Sequence, residues 1–345
     1  MDLTLFMINN FKIFSCSIII LIFVSCQSNS FKFENSNVVH MDISGKVLIR
    51  SIELADPWDI ALNDSLIYIG NKNTRPMLES YTLKGERKAR YVLEGNDIMG
   101  KGIIGRMNIV DNRLVISDLF SGKVFALNES MVGLENLSSI KVTDKNLLLS
   151  QDLIICSSEE HMKGRITIYN RKNNAYQQSL LSLPTKYNDS ISEAMNLSIY
   201  SSLIEISPNQ KIVVAATINA DMLDVVNLEN NEHFNYHYSK PESVIFDEIR
   251  GIPVYYFTSK SKMGYTDLAV TDNYVYGLYS GKSMEEKSAS SVIRVISTDG
   301  KHAYTLNTDK QIKRIAVAKD NKAIYAITIN ENNTPEVVKF DISLI

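Results

Sequence analysis

The sequence is poor in the residues that carry covalent and metal chemistry. It has 3 cysteines and 5 histidines in 345 residues. Cys16 and Cys26 both fall within the first 26 residues, which leaves Cys156 alone in the rest of the chain. No disulfide is therefore expected, and Cys156, in an apolar strand-like run, reads as a small core residue. There is no Gly-x-Ser-x-Gly elbow, no His-Glu-x-x-His and no Asp-rich calcium loop. His233 and His237 are four apart but sit in an Asn- and aromatic-rich context and read as surface strand residues. Gly281-Lys282-Ser283 lacks the earlier glycine and the following helix of a phosphate loop and reads as a hairpin turn. No catalytic residue, metal ligand or cofactor is expected. Clustered positive charge is also missing: 36 Lys and Arg are interspersed with 39 Asp and Glu, for a net charge of -3. A nucleic-acid partner needs a basic face, so none is expected.

What is present begins with a different material at the amino end. Phe11-Lys12 precedes an apolar run from Ile13 to Val24, too short to span a bilayer comfortably, and Ser25-Cys26 follows. That order describes a secretory signal, with Met1 or Met7 as the start. Phe23-Val24-Ser25-Cys26 resembles a bacterial lipobox, with Phe23 in place of the usual leucine. The resemblance implies cleavage before Cys26 and acylation of that cysteine, which would hold the protein on a lipid bilayer. Residues 1–25 are expected to be the signal, 26–40 the lipidated tether and 41–345 the folded domain. No acidic cluster follows Cys26, which favours the periplasmic face of the outer membrane.

The remainder repeats one grammar six times. An apolar run ends at a turn pair, a second run follows, then a loop and a third run. Asn63-Asp64, Asp111-Asn112, Gln151-Asp152, Pro208-Asn209, Asp272-Asn273 and Asp320-Asn321 mark the turns. Tyr, Phe and β-branched residues in short runs bounded by Gly, Asn and Asp read as antiparallel strands. Gly85-Glu86 and Gly300-Lys301 each lead into a fourth strand, and Gly45-Lys46 leads into another before the first unit. The sixth unit lacks a fourth strand of its own. Residues 47–54 are expected to complete it, giving an all-β, six-bladed β-propeller closed by an amino-terminal strand. Residues 187–202 are expected to form a helical turn or two, and 229–256 to hold extra strands.

The runs YVYGLYSGK, VIRVISTDGKHAYTL and IKRIAVAKDNKAIYAI resemble the carboxy-terminal half of the bacterial TolB-like six-bladed propeller lipoproteins. The resemblance covers nearly the whole mature chain and implies no established catalytic residues. Relatives with a Gly-Pro-Gly-Glu-like segment after the first outer strand are matched here only by 94–102, without the proline.

Loops before first strands converge on one end of a propeller channel. Counting back from the turn pairs aligns Trp58, Arg106 and Asp267, with Arg314 within one residue of that level. An indole, two guanidiniums and a carboxylate could grip a small polar molecule, a glycan or a protein segment. The expected function is a membrane-anchored, non-enzymatic binding or interaction propeller of the cell envelope. The alternatives are a hydrolase, lactonase or lyase built on a hub metal, and a structural component of an envelope complex.

Overall fold

The computed structural model describes residues 38–72, 77–91, 104–118, 124–127, 134–136, 148–157, 164–182, 192–237, 244–249, 252–283, 285–286 and 289–343. The lipobox with Cys26 and the segment 94–102 lie outside them. The described chain is built of short antiparallel strands around a channel. Blade one is Pro57–Leu62, Leu66–Asn71, Leu78–Thr82 and Arg87–Tyr91. Blade two is Ile104–Val110, Arg113–Asp118, Val124–Leu127 and Leu134–Asn136; blade three is Leu148–Leu149, Leu153–Ser157, Gly164–Asn170 and Tyr176–Ser182. Blade four is Ser202–Ile206, Ile212–Thr217, Met222–Asn227 and His233–His237.

Blades five and six are one continuous sheet. Tyr265–Val270, Tyr274–Tyr279 and Ser290–Ser297 lead into a single 15-residue strand, Ala303–Val317. Its first part is the outer strand of blade five and its second part the inner strand of blade six. Ala323–Ile329 and Pro335–Asp341 follow, and Gly45–Ile49 pairs antiparallel with the last of these, Val47 opposite Val338. The expected closure is present. The closing strand is shorter than 47–54, because Ser51–Glu53 turns into a 3-10 helix. One further strand was not foreseen. Val38–Ile43 pairs in parallel with the outer part of blade five, Val38 opposite Ala303, so residues 38–40 belong to the sheet and not to a tether.

The ring is sealed by six apolar layers, one between each pair of neighbouring blades. Side chains alternate across a strand. Accordingly Ile212, Val214 and Ala216 face blade five, whereas Val213 and Ala215 face blade three. The layer that closes the circle joins Ile49, Tyr325, Ile327 and Val337 of blade six to Ile60, Ile67, Ile69 and Tyr81 of blade one. Each fully buried aliphatic side chain contributes on the order of 1.5–3 kcal/mol. A smaller cluster lies outside the ring. The helix α1, Glu193–Ile199, is capped by Ser192, whose hydroxyl accepts from the Met195 amide at 3.2 Å. It packs with Met222 and with the hairpin Val244–Ile249/Ile252–Phe257.

Candidate functional site

Four inner strands carry a β-bulge at the same level. In blade one Pro57 pairs with Asn71 and Asp59 with Gly70, so Trp58 is the extra residue. Gly105, Thr266 and Lys313 are the extra residues in blades two, five and six. A bulge bends its strand and re-aims the next side chain. The residues that follow are Asp59, Arg106, Asp267 and Arg314. Ser117 steadies one bulge, its hydroxyl accepting from the Arg106 amide at 3.0 Å.

The two aspartates act as clamps between blades. Asp59 Oδ2 accepts from the Met107 amide of blade two at 2.8 Å, and Asp267 Oδ2 from the Ile315 amide of blade six at 2.7 Å. The arginines then cross the channel: Arg106 Nη1 lies 4.0 Å from Asp267 Oδ1, and Arg314 Nε lies 4.0 Å from Asp59 Oδ1. Blades one and two thus exchange partners with blades five and six in an approximate two-fold pattern. Two residues break it. Arg106 Nη2 donates to Glu205 of blade four at 2.5 Å and to the Leu268 carbonyl at 3.1 Å. Arg314 instead lies over the Trp58 ring, 5.0 Å from its centroid, with Lys72 Nζ at 4.4 Å from the same ring. Both distances are within cation–π reach.

Burial dominates the electrostatics of the hub. It pushes the Asp59 carboxyl up to about 6 despite the opposing pull of Arg106 and Arg314, with the Asp267 charge adding to the rise. Burial also raises Glu205, against the stabilising contact with Arg106. Among the described residues, no group of three His, Cys, Asp or Glu could hold a metal ion.

Arg106, Asp267 and Arg314 therefore meet in the hub, with Trp58 stacked beside Arg314. The alignment by turn pairs placed Trp58 one residue off: Asp59 occupies its level. The turns joining first and second strands vary in length, from Asp111-Asn112 to residues 318–322, so counting back from them drifts. Glu205 was missed because it stands three residues before Pro208, whereas the aligned residues stand five or six before their turn pairs. A signal for Asp59 was available: Asp59 and Arg106 stand 47 residues apart, as do Asp267 and Arg314.

Asp59, Arg106, Glu205 and Asp267 form a floor. Above it a cavity of about 660 Å³ runs toward the turns joining first and second strands, not toward the entry loops where a mouth was expected. Asp59, Arg106, Glu205 and Asp267 line its base, and half-buried Leu62, Ile109, Ile206, Val270 and Val317 form its wall. Turn-to-turn hydrogen bonds brace the rim: Asn63 Nδ2 to the Asn112 carbonyl at 3.4 Å, the Gln151 amide to Gln210 Oε1 at 3.1 Å, the Asn209 amide to Asp272 Oδ1 at 2.9 Å, and Thr271 Oγ1 to Asn321 Oδ1 at 2.8 Å.

The remaining sequence candidates lie elsewhere. His233 Nε2 is 3.0 Å from Asp224 Oδ1, in a network where Asp224 also receives Arg165 at 2.5 Å. Lys282 Nζ donates to the Ala289 carbonyl at 2.6 Å and to Gln311 Oε1 at 3.1 Å. Cys156 is buried in blade three.

Comparison with known proteins places this architecture. A search of curated proteins found no match. Similar solved structures include U3-55K (TM-score 0.49, 9% identity, covering 90% of this chain and 99% of that one). The Neurospora crassa Pan2 WD40 domain is similar at a TM-score of 0.45, with 9% identity over 91% of this chain and 98% of that one. The Myceliophteria thermophila Cps50 (Swd1) β-propeller domain follows at 0.43, with 9% identity over 87% and 100%. The family described as TolB-like 6-blade propeller-like matches residues 31–320, more than half of the sequence. The chain belongs to the TolB-like 6-blade propeller-like family.

Proposed function

We propose that this propeller is a non-enzymatic binding lipoprotein of the bacterial envelope, and that it takes its ligand into the hub cavity. The observation that supports this most is the cavity itself. It has a buried charged floor, an apolar wall and a rim braced by hydrogen bonds, at a volume typical of small-molecule sites. The charged groups of the floor are engaged with one another and with backbone amides, an arrangement suited to gripping rather than to proton transfer. The lipid anchor would be Cys26. Residues 27–37 would reach at most about 40 Å between it and Val38, whose partner Ala303 adjoins the turn at Thr298. Thr298 donates through its amide to the Asn273 carbonyl, on the braced rim. An anchor at Cys26 would therefore enter on the side of the cavity mouth.

Thermal-shift screening of the full chain in detergent micelles, with glycans, peptides and divalent metals, tests this reading. A ligand held in the hub should raise the melting temperature and change the emission of Trp58, the only tryptophan. Ile206→Phe, which narrows the mouth and adds no second indole, should abolish both effects. A ligand whose binding survives that substitution would place the site elsewhere and sink the hub reading.

A further inference from the structure

Charge is distributed unevenly around the cavity. Six carboxylates line it: Asp59, Glu205 and Asp267 at the base, and Asp64, Asp111 and Asp320 at the rim. Two cationic side chains, Arg106 and Lys319, face them. Arg106 spends its Nη2 on Glu205 and the Leu268 carbonyl, and its Nη1 stands 4.0 Å from Asp267. Arg314 is turned to Trp58 and donates to the Thr266 carbonyl at 3.3 Å, and it is not part of the lining.

Asp59 and Asp267 are then left with long ion pairs only. Each has an arginine nitrogen no nearer than 4.0 Å, beyond hydrogen-bond distance. Asp59 spends both oxygens on backbone amides, Oδ1 on Ile60 at 3.0 Å and Oδ2 on Met107. Asp267 spends only Oδ2, on Ile315; its Oδ1 accepts no hydrogen bond from any described residue. The base of the cavity thus holds an acceptor oxygen free to take a further hydrogen bond, its charge faced by Arg106 Nη1 only at 4.0 Å, at the end of an apolar sleeve. A cleft lined by one sign of charge within low-dielectric walls concentrates the field on an entering ion.

We propose that the hub cavity selects a peptide-like ligand bearing a primary amine or guanidinium, with the cation directed to Asp267 and the aliphatic portion against Ile109, Ile206 and Val317. This inference rests on the hub-binding reading above and names the class of ligand. Anions are disfavoured by the six carboxylates. A neutral ligand would leave the buried Asp267 charge with no partner nearer than Arg106 at 4.0 Å, which is the basis of discrimination.

The test uses three peptides, acetyl-Leu-Xaa-Leu-amide with Lys, Gln or Glu at the centre, titrated calorimetrically into the full chain in a non-ionic detergent. The Lys peptide should bind at least tenfold more tightly than the Gln peptide, and the Glu peptide should show no heat. The Lys preference should shrink severalfold as salt rises, because part of the attraction is screened at the rim. Asp267→Asn keeps an oxygen for the Ile315 amide and removes the charge, so it should equalise Lys and Gln binding without loss of fold. Equal affinities in the wild type, or a preference for Glu, would overturn the charge selection while leaving hub binding intact. Lys binding that persists in Ile206→Phe would overturn the hub location itself. Silence from all three peptides would overturn the amine preference, and the broader ligand screen would still decide whether the hub binds anything.

Discussion

Asp59 is buried with two arginines in Coulombic range, yet its carboxyl sits at about 6, well above its ordinary 3.8. A carboxyl raised by folding binds its proton more tightly in the native state than in the unfolded chain. The contribution of Asp59 to stability is then fully present below about pH 4 and is lost as pH rises through about 6, by up to about 3 kcal/mol. Asp59→Asn keeps an acceptor for the Met107 amide and removes the titration. Thermal melts from pH 4 to 7 should show a shallower decline for the variant than for wild type, and parallel declines would refute the assignment. The Arg106–Glu205 pair makes a second case. Their side chains are 19% and 13% exposed, so removing the arginine strands a mostly buried carboxylate. Arg106→Met should cost about 3 kcal/mol in denaturant melts, and adding Glu205→Gln should recover part of it. A strictly additive double variant would mean that the two side chains are not coupled.

The strands of this chain were legible where burial is two-sided. Ile212–Thr217 is buried at every position, and Asp or Asn marks the turn before most such runs, so pattern and punctuation agree. Bulges were not legible, because a one-residue insertion changes the register without changing composition. Val38–Ile43 was invisible for another reason. It is mostly exposed along an outer edge, and its partner lies 265 residues away, so no local pattern announces it. The closing strand offers a sharp test at this scale. A Cβ at Gly45 would stand 2.3 Å from Val338 Cγ1 and 2.7 Å from the Phe340 ring. Gly45→Val should therefore destabilise by about 1–3 kcal/mol and lower the melting temperature by several degrees. An unchanged melt would contradict the packing of that seam.

At the scale of the molecule, six apolar layers account for the circle, and the one between blades six and one depends on Ile49 from the amino-terminal strand. Circularity was readable because one fourth strand was left over at the start and one was missing at the end. The position of the cavity was not, since it follows from how turns of different lengths crowd one mouth. Deleting residues 38–49 should expose Pro335–Asp341 as a free edge. Light scattering should then show self-association, and a monodisperse variant would argue that the ring closes without that strand. The 15-residue strand shared by blades five and six has a mechanical corollary. A tug on the amino-terminal end enters at Val38, whose strand lies alongside Ala303–Thr308 in six successive residue pairs. When the pull runs along the strand axis, that row of bonds is strained together in shear instead of opening one by one like a zipper. Such a joint resists traction best where a protein held by its amino end would feel it.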